Sequence, residues 1–259
     1  MDNLKDKIWL WGQTPGSHHA SVFYELTGEN KMTPEEGLAF FGIPNLCRVK
    51  MRTDAGRSFV NDLDLCAGAK RLCLSLIGAG DQANGDDLED ILTVARRDSR
   101  IDAAVMDDFV SDARMAVYTP EVLHALKERL HTEADRKLEL WSVMYERDFH
   151  RDAEVRSRAL EFDLTTFWTW YGSNLPKLEE NLAHMKALTD GGRMMLGVYM
   201  YNYGEAKPLP DELMRYQLNF AERKLRSGEI EGIVLCSNCI ADIGLSAVDI
   251  TRDWISSLE

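Results

Sequence analysis

Eight short apolar runs, each followed by a helix-length segment, constrain this 259-residue chain more than any other feature. They are residues 7–12 (KIWLWG), 46–51 (LCRVKM), 71–78 (RLCLSLIG), 101–109 (IDAAVMDDF), 138–146 (LELWSVMYE), 162–170 (FDLTTFWTW), 193–202 (RMMLGVYMYN) and 230–238 (IEGIVLCSN). Successive starts lie 24 to 39 residues apart, room for one helix and two loops, which is the length of a parallel crossover unit. The segments between them carry helix signals. Thr33-Pro34-Glu35-Glu36 and Thr119-Pro120-Glu121 each place a capping threonine before a first-turn proline and acids. Leu88, Ile91, Leu92 and Ala95 form one apolar stripe, and Leu175, Leu178, Leu182, Met185 and Leu188 form another. Further helices are predicted over 153–160, 211–226 and 247–258, with 59–69 the weakest. Eight strands alternating with helices over this length predict a (β/α)8 TIM barrel, an α/β fold, as a single domain spanning 1–259. An open doubly wound sheet is the rival. It requires a glycine-rich phosphate loop after the first strand, and Gly12-Gln13-Thr14-Pro15-Gly16 is neither GxGxxG nor GKS/T.

Composition bounds the partners. The 30 basic and 43 acidic residues give a net charge of −13, which argues against nucleic acid or an anionic membrane surface as the main partner. Five cysteines in a long chain do not read as a disulfide framework, so a reducing, cytoplasmic setting is expected. The opening MDNLKDKIWLWG has acids and too short an apolar stretch for a signal peptide, and no run approaches a membrane span. Oligomeric state is not encoded in any of these features.

In such barrels chemistry sits at the carboxyl ends of the strands. Side chains alternate between barrel interior and helix layer. On the second strand Arg48, Lys50 and Arg52 share one parity and Cys47, Val49 and Met51 the other, so the basic set is expected inside, matched by acids or an anionic ligand. The fourth run ends in Asp107-Asp108, of which alternation lets one point centrally, with Asp108 favoured. On the fifth run Ser142, Met144 and Glu146 form the more polar parity, which directs Glu146 to the mouth. Aromatic and amide groups collect at the remaining ends: Trp11, His18 and His19 after the first strand, Trp168 and Trp170 on the sixth, Tyr199, Tyr201 and Asn202 on the seventh, and Asn238 on the eighth. Rings beside hydrogen-bonding groups suit a sugar, whose CH faces stack while its hydroxyls bond.

The eight-run rhythm, with VMDDF, MYERDF, FWTWYG and GVYMYNYG at strand ends four to seven, resembles uncharacterised glycoside-hydrolase-like TIM barrels. The likeness runs from IWLWGQTPGSHH to VDITRDWI. It implies a carbohydrate or glycoside substrate and a carboxylate acid/base apparatus. The chain departs from the large retaining clan, whose catalytic glutamates end strands four and seven, and it has no DxxDxDxE run.

The leading expectation is therefore a glycoside hydrolase in which Asp108 and Glu146 form the catalytic pair and Asp107 supports them. Trp11, Trp168, Trp170, Tyr199 and Tyr201 would shape the pocket. His18, His19, Asn202 and Asn238 would bond hydroxyls, and Arg48 and Lys50 would tune charge or bind an acidic sugar. No cofactor and no metal enter this scheme. Three alternatives stand beside it: a carbohydrate-binding barrel that no longer catalyses, a lyase or aldolase forming a Schiff base on Lys50, and a metal-dependent hydrolase or isomerase using His18 and His19 with Asp108 and Glu146. Cys236-Ser237-Asn238-Cys239 is a single CxxC, too little for zinc, and Cys236 reads as barrel interior.

Overall fold

A computed structural model describes residues 3–54, 56–63, 66–79 and 86–258. Eight parallel strands close on themselves in sequence order: β1 (Ile8–Gly12), β2 (Asn45–Arg48), β3 (Arg71–Ile77), β4 (Ile101–Met106), β5 (Glu139–Tyr145), β6 (Leu164–Trp168), β7 (Met194–Tyr199) and β8 (Gly232–Cys236), which returns to β1. The chain is a (β/α)8 TIM barrel. Helices α1 (Pro34–Phe41), α2 (Leu88–Ala95), α3 (Asp112–Val117), α4 (Pro120–Thr132), α5 (Asp152–Ala159), α6 (Leu178–Leu188), α7 (Asp211–Arg226) and α8 (Ser246–Ser257) pack outside it. The expected caps form. Thr33 accepts from the Glu36 backbone N–H while the Glu36 carboxylate accepts from the Thr33 N–H, and Thr119 caps Val122. No described helix is long and apolar enough to cross a membrane.

One connection breaks the rhythm. Among the described residues between β2 and β3 there is no α-helix, only short 3-10 turns at Arg52–Asp54 and Phe59–Asn61, while two helices, α3 and α4, fill the gap after β4. The weak helical signal over 59–69 thus marks a real irregularity, and it determines where the basic residues of β2 go.

Interior parity follows from contacts that cross the barrel. Trp9 of β1 meets Trp141 of β5 edge-on at 5.1 Å, and Trp11 meets Trp168 of β6 at 5.6 Å. Strands that are not neighbours in the sheet can touch only through its inside. The register Trp11↔Cys47 then turns Cys47 inward, and Gly12↔Arg48 turns Arg48 outward. This corrects the expectation that Arg48 and Lys50 stack inside. Arg48 lies 2.8 Å from Asp62 and 3.7 Å from Asp54, and donates to Thr14 Oγ1 and the Val49 carbonyl. Lys50 lies 2.9 Å from Asp87, 3.9 Å from Asp90 and 4.1 Å above the Phe59 ring. Where a helix would have offered an apolar face, the β2–β3 connection offers Asp54 and Asp62 to Arg48, and the start of α2 offers Asp87 and Asp90 to Lys50, so the polar parity of β2 faces outward. Buried charge is tolerated here because it is paired and hydrogen-bonded.

The same register reverses β5. Trp141, Val143 and Tyr145 face inward, whereas Ser142 bonds Thr165 in the outer layer. Packing inside is tight. Trp168 lies against Gly197 of β7, and any Cβ there would collide with the indole.

Candidate active site

The carboxyl ends of the strands surround a cavity of about 430 Å³. Trp11 and Trp168 form its floor, Tyr145, Trp170, Tyr199 and Tyr203 its walls, and Asp107, Asp108, Arg147 and His18 supply its ionisable groups. Both aspartates line it, against the alternation rule. The reason lies in the backbone: Asp108 has φ +44°, a left-handed turn directly after β4, so consecutive side chains reach one space. Aspartate tolerates this conformation better than most residues, and such strain gathers at functional sites.

The two carboxyls stand in different surroundings. Asp107 is buried, and the Asp108 backbone N–H donates to its Oδ1 at 2.8 Å. Burial first, and the charge of Asp108 second, push its carboxyl well above the usual carboxylate range. Buried Arg114 holds the strand ends together by donating to the carbonyls of Asp107 and Gly78. Asp108 is more open. It accepts from the Tyr145 hydroxyl at 3.0 Å, with the Arg147 guanidinium at 3.9 Å. Arg147 is itself held between two aromatic faces, 4.5 Å from the Tyr145 ring and 4.4 Å from that of Trp170.

His18 is buried, with its pKa pushed down to about 3 by desolvation and then by the charge of His19. Its Nε2 meets Gln13 Oε1, which can only accept, so Nε2 carries the proton. Nδ1 then accepts from the Tyr203 hydroxyl at 2.8 Å. The neutral imidazole braces the first loop against the β7 end.

Of the residues expected at the site, Asp107, Asp108, Trp11, His18, Trp168, Trp170 and Tyr199 line the cavity. Glu146, expected at the mouth, does not. Its carboxylate accepts from the backbone N–H groups of Trp170 and Tyr171 and from the Asn174 amide, pinning the loop after β6. Parity explains the miss, since Glu146 shares the outward face of Ser142. Tyr201 donates to the Tyr24 carbonyl, Asn202 accepts from the Gly172 N–H, and Asn238 clamps Gln13 and Met32 through their backbones. These three are braces outside the lining, and His19 sits 3.4 Å from the Thr27 carbonyl.

Lys50, ion-paired outside the barrel, does not reach the cavity, so the Schiff-base scheme loses its nucleophile. The metal scheme loses its assembly: Glu146 turns away, both His18 nitrogens are engaged and His19 lies outside the cavity lining. Tyr145 and Arg147 are the important cavity residues not singled out from sequence. The available signal was the parity Trp141–Val143–Tyr145, which continues to Arg147.

No family model and no curated protein matches the chain. Among solved structures it is similar to an α-L-arabinofuranosidase from Thermotoga maritima in complex with arabinose, with TM-score 0.62 and 9% identity over 99% of this chain and 70% of that one. It is similar to a GH10 xylanase from Thermobacillus composti, with TM-score 0.50 and 13% identity over 97% and 98%. It also aligns with an orotidine 5'-monophosphate decarboxylase from Methanocaldococcus jannaschii, with TM-score 0.45 and 8% identity over 98% of each chain. At these identities the first two likenesses establish the barrel fold alone.

Proposed function

We propose that the barrel mouth binds a saccharide or glycoside and cleaves it with Asp107 and Asp108. One observation carries this reading: two adjacent carboxyls open into one indole-floored cavity, Asp107 buried with its carboxyl held well above the usual range and Asp108 more open beside the Tyr145 hydroxyl. Neighbouring carboxyls in such unlike surroundings are suited to acid and base roles. Asp107, kept neutral by burial, donates its proton to the glycosidic oxygen as the bond from that oxygen to the sugar carbon breaks. Asp108, which accepts from the Tyr145 hydroxyl and has the Arg147 guanidinium at 3.9 Å, faces the positive charge developing on that carbon. It takes the proton of the water that replaces the leaving group. Trp11, Trp168 and Trp170 offer faces for sugar CH groups, and the phenols of Tyr199 and Tyr203 offer bonds to hydroxyls.

A second reading, saccharide binding without cleavage, is favoured by the diversion of Glu146, which leaves the cavity no third carboxylate among the described lining residues. The two separate by experiment. A panel of aryl glycosides is assayed with the wild-type chain and with Asp108→Asn, and saccharide binding is followed by NMR. Hydrolysis reduced at least about a hundredfold in Asp108→Asn, with binding retained, supports the catalytic reading. Binding without any wild-type turnover supports the second. Turnover equal in both proteins removes Asp108 from the mechanism.

A further inference from the structure

A second cavity, of about 490 Å³, opens outward from the first and shares Asp108, Phe23, Met51 and Ala79 with it. Beside Ser17, Ser21, Tyr24, Arg52 and Asp108 it presents a band of apolar groups, Ala20, Val22, Phe23, Met51 and Ala79, in place of the Asp107, Arg147, Tyr199 and Tyr203 of the inner chamber.

The loop that builds the outer wall is stapled at its root and bare at its tip. Asn238 clamps Gln13 and Met32, Asp242 accepts from the backbone of Lys31 and Met32, and the Tyr24 carbonyl accepts from Tyr201. Between these anchors Val22 and Phe23 are 82% and 81% exposed, while no other large apolar side chain among the described residues passes 50%. Two adjacent apolar side chains held in water beside a cavity form a surface that gains by being covered.

Resting on the hydrolytic reading above, we propose that the outer chamber binds the apolar leaving group of the substrate, which is an aryl or alkyl glycoside. Asp108 lies where the two chambers meet, so a substrate cleaved there has its sugar in the inner chamber and its leaving group against Phe23 and Met51.

The test measures binding apart from turnover. Free 4-methylumbelliferone is titrated into the wild-type chain, Phe23→Ser and Phe23→Trp, and its fluorescence is read. Phe23 is too exposed for either substitution to disturb the core. Saturable binding that weakens about tenfold in Phe23→Ser and returns in Phe23→Trp is expected, the loss corresponding to one apolar ring contact. In parallel, kcat/KM for octyl over methyl glycosides of one sugar is expected to exceed one and to fall toward one in Phe23→Ser. Binding that is absent, or identical in Phe23→Ser, overturns the proposal even if glycosides are hydrolysed. So does an octyl-to-methyl ratio near one in the wild type. Phe23-dependent binding with no hydrolysis of any aryl glycoside leaves the chamber standing and removes the hydrolytic reading instead.

Discussion

Replacing Gly197 by alanine tests the barrel interior and the cavity together. A Cβ at this position would lie within 2.5 Å of three Trp168 ring carbons, Cδ2, Cε3 and Cε2. Carbon atoms in contact need about 3.5–4.0 Å, so the indole must retreat by at least about 1 Å. Trp11 stands edge-on to it at 5.6 Å and Tyr199 is tilted by 36° at 4.6 Å, and the space open to the displaced ring is the cavity it floors. Overpacking of this kind costs about 2–3 kcal/mol, which for a chain of this size lowers Tm by about 5–10 °C. Urea unfolding followed by tryptophan fluorescence gives the first figure, and NMR titration with a saccharide reads the narrowed cavity. Trp168→Leu should relieve the clash, so the double variant loses less stability than the two single losses added together, with a coupling of about 1 kcal/mol or more. A Gly197→Ala protein within about 0.5 kcal/mol of wild type, with saccharide affinity unchanged, would refute the interior packing derived from the register.

Three further outcomes follow from the same geometry. Arg48→Met leaves Asp54 and Asp62 buried without their shared cation, although Arg57 still reaches Asp62 at 2.8 Å, so a loss of about 3 kcal/mol is expected in urea unfolding. A loss below about 1 kcal/mol would mean the pair is not buried as described. Glu146→Gln disturbs two backbone bonds of the loop after β6 and should cost about 1–3 kcal/mol while leaving kcat within a few-fold; a collapse of kcat at unchanged stability would return Glu146 to the mechanism. Asp107 is a carboxyl whose folded pKa is raised, so its contribution to stability is fully present below the ordinary carboxylate pKa and is lost as pH rises through the folded value. Stability of the wild type should therefore decline over that window relative to Asp107→Asn, and parallel pH profiles in urea unfolding would show that Asp107 is not perturbed. Activity that depends on neutral Asp107 should fall over the same window.

The parts of this protein that spacing determines were legible without coordinates. Eight runs at crossover intervals, with Thr-Pro helix starts between them, are a local record of strand and helix, because turn chemistry and apolar periodicity act over a few residues. The barrel, its strand order and the gathering of Asp107, Asp108, Trp11, Trp168, Trp170 and Tyr199 at one end follow from that record. Which face of each strand turns inward does not. A strand's two parities are chemically distinct in the sequence, but inside and outside are assigned by whatever packs against them. At β2 the carboxylates of a helix-free loop draw Arg48 outward, and those at the start of α2 draw Lys50 the same way. At β5 a cross-barrel contact between Trp9 and Trp141 takes the interior, so Tyr145 and Arg147 enter the cavity in place of Glu146. At the end of β4 a single left-handed residue, Asp108, brings two neighbouring acids into one space. Each of these outcomes depends on partners tens of residues away, and only the closed barrel brings them together.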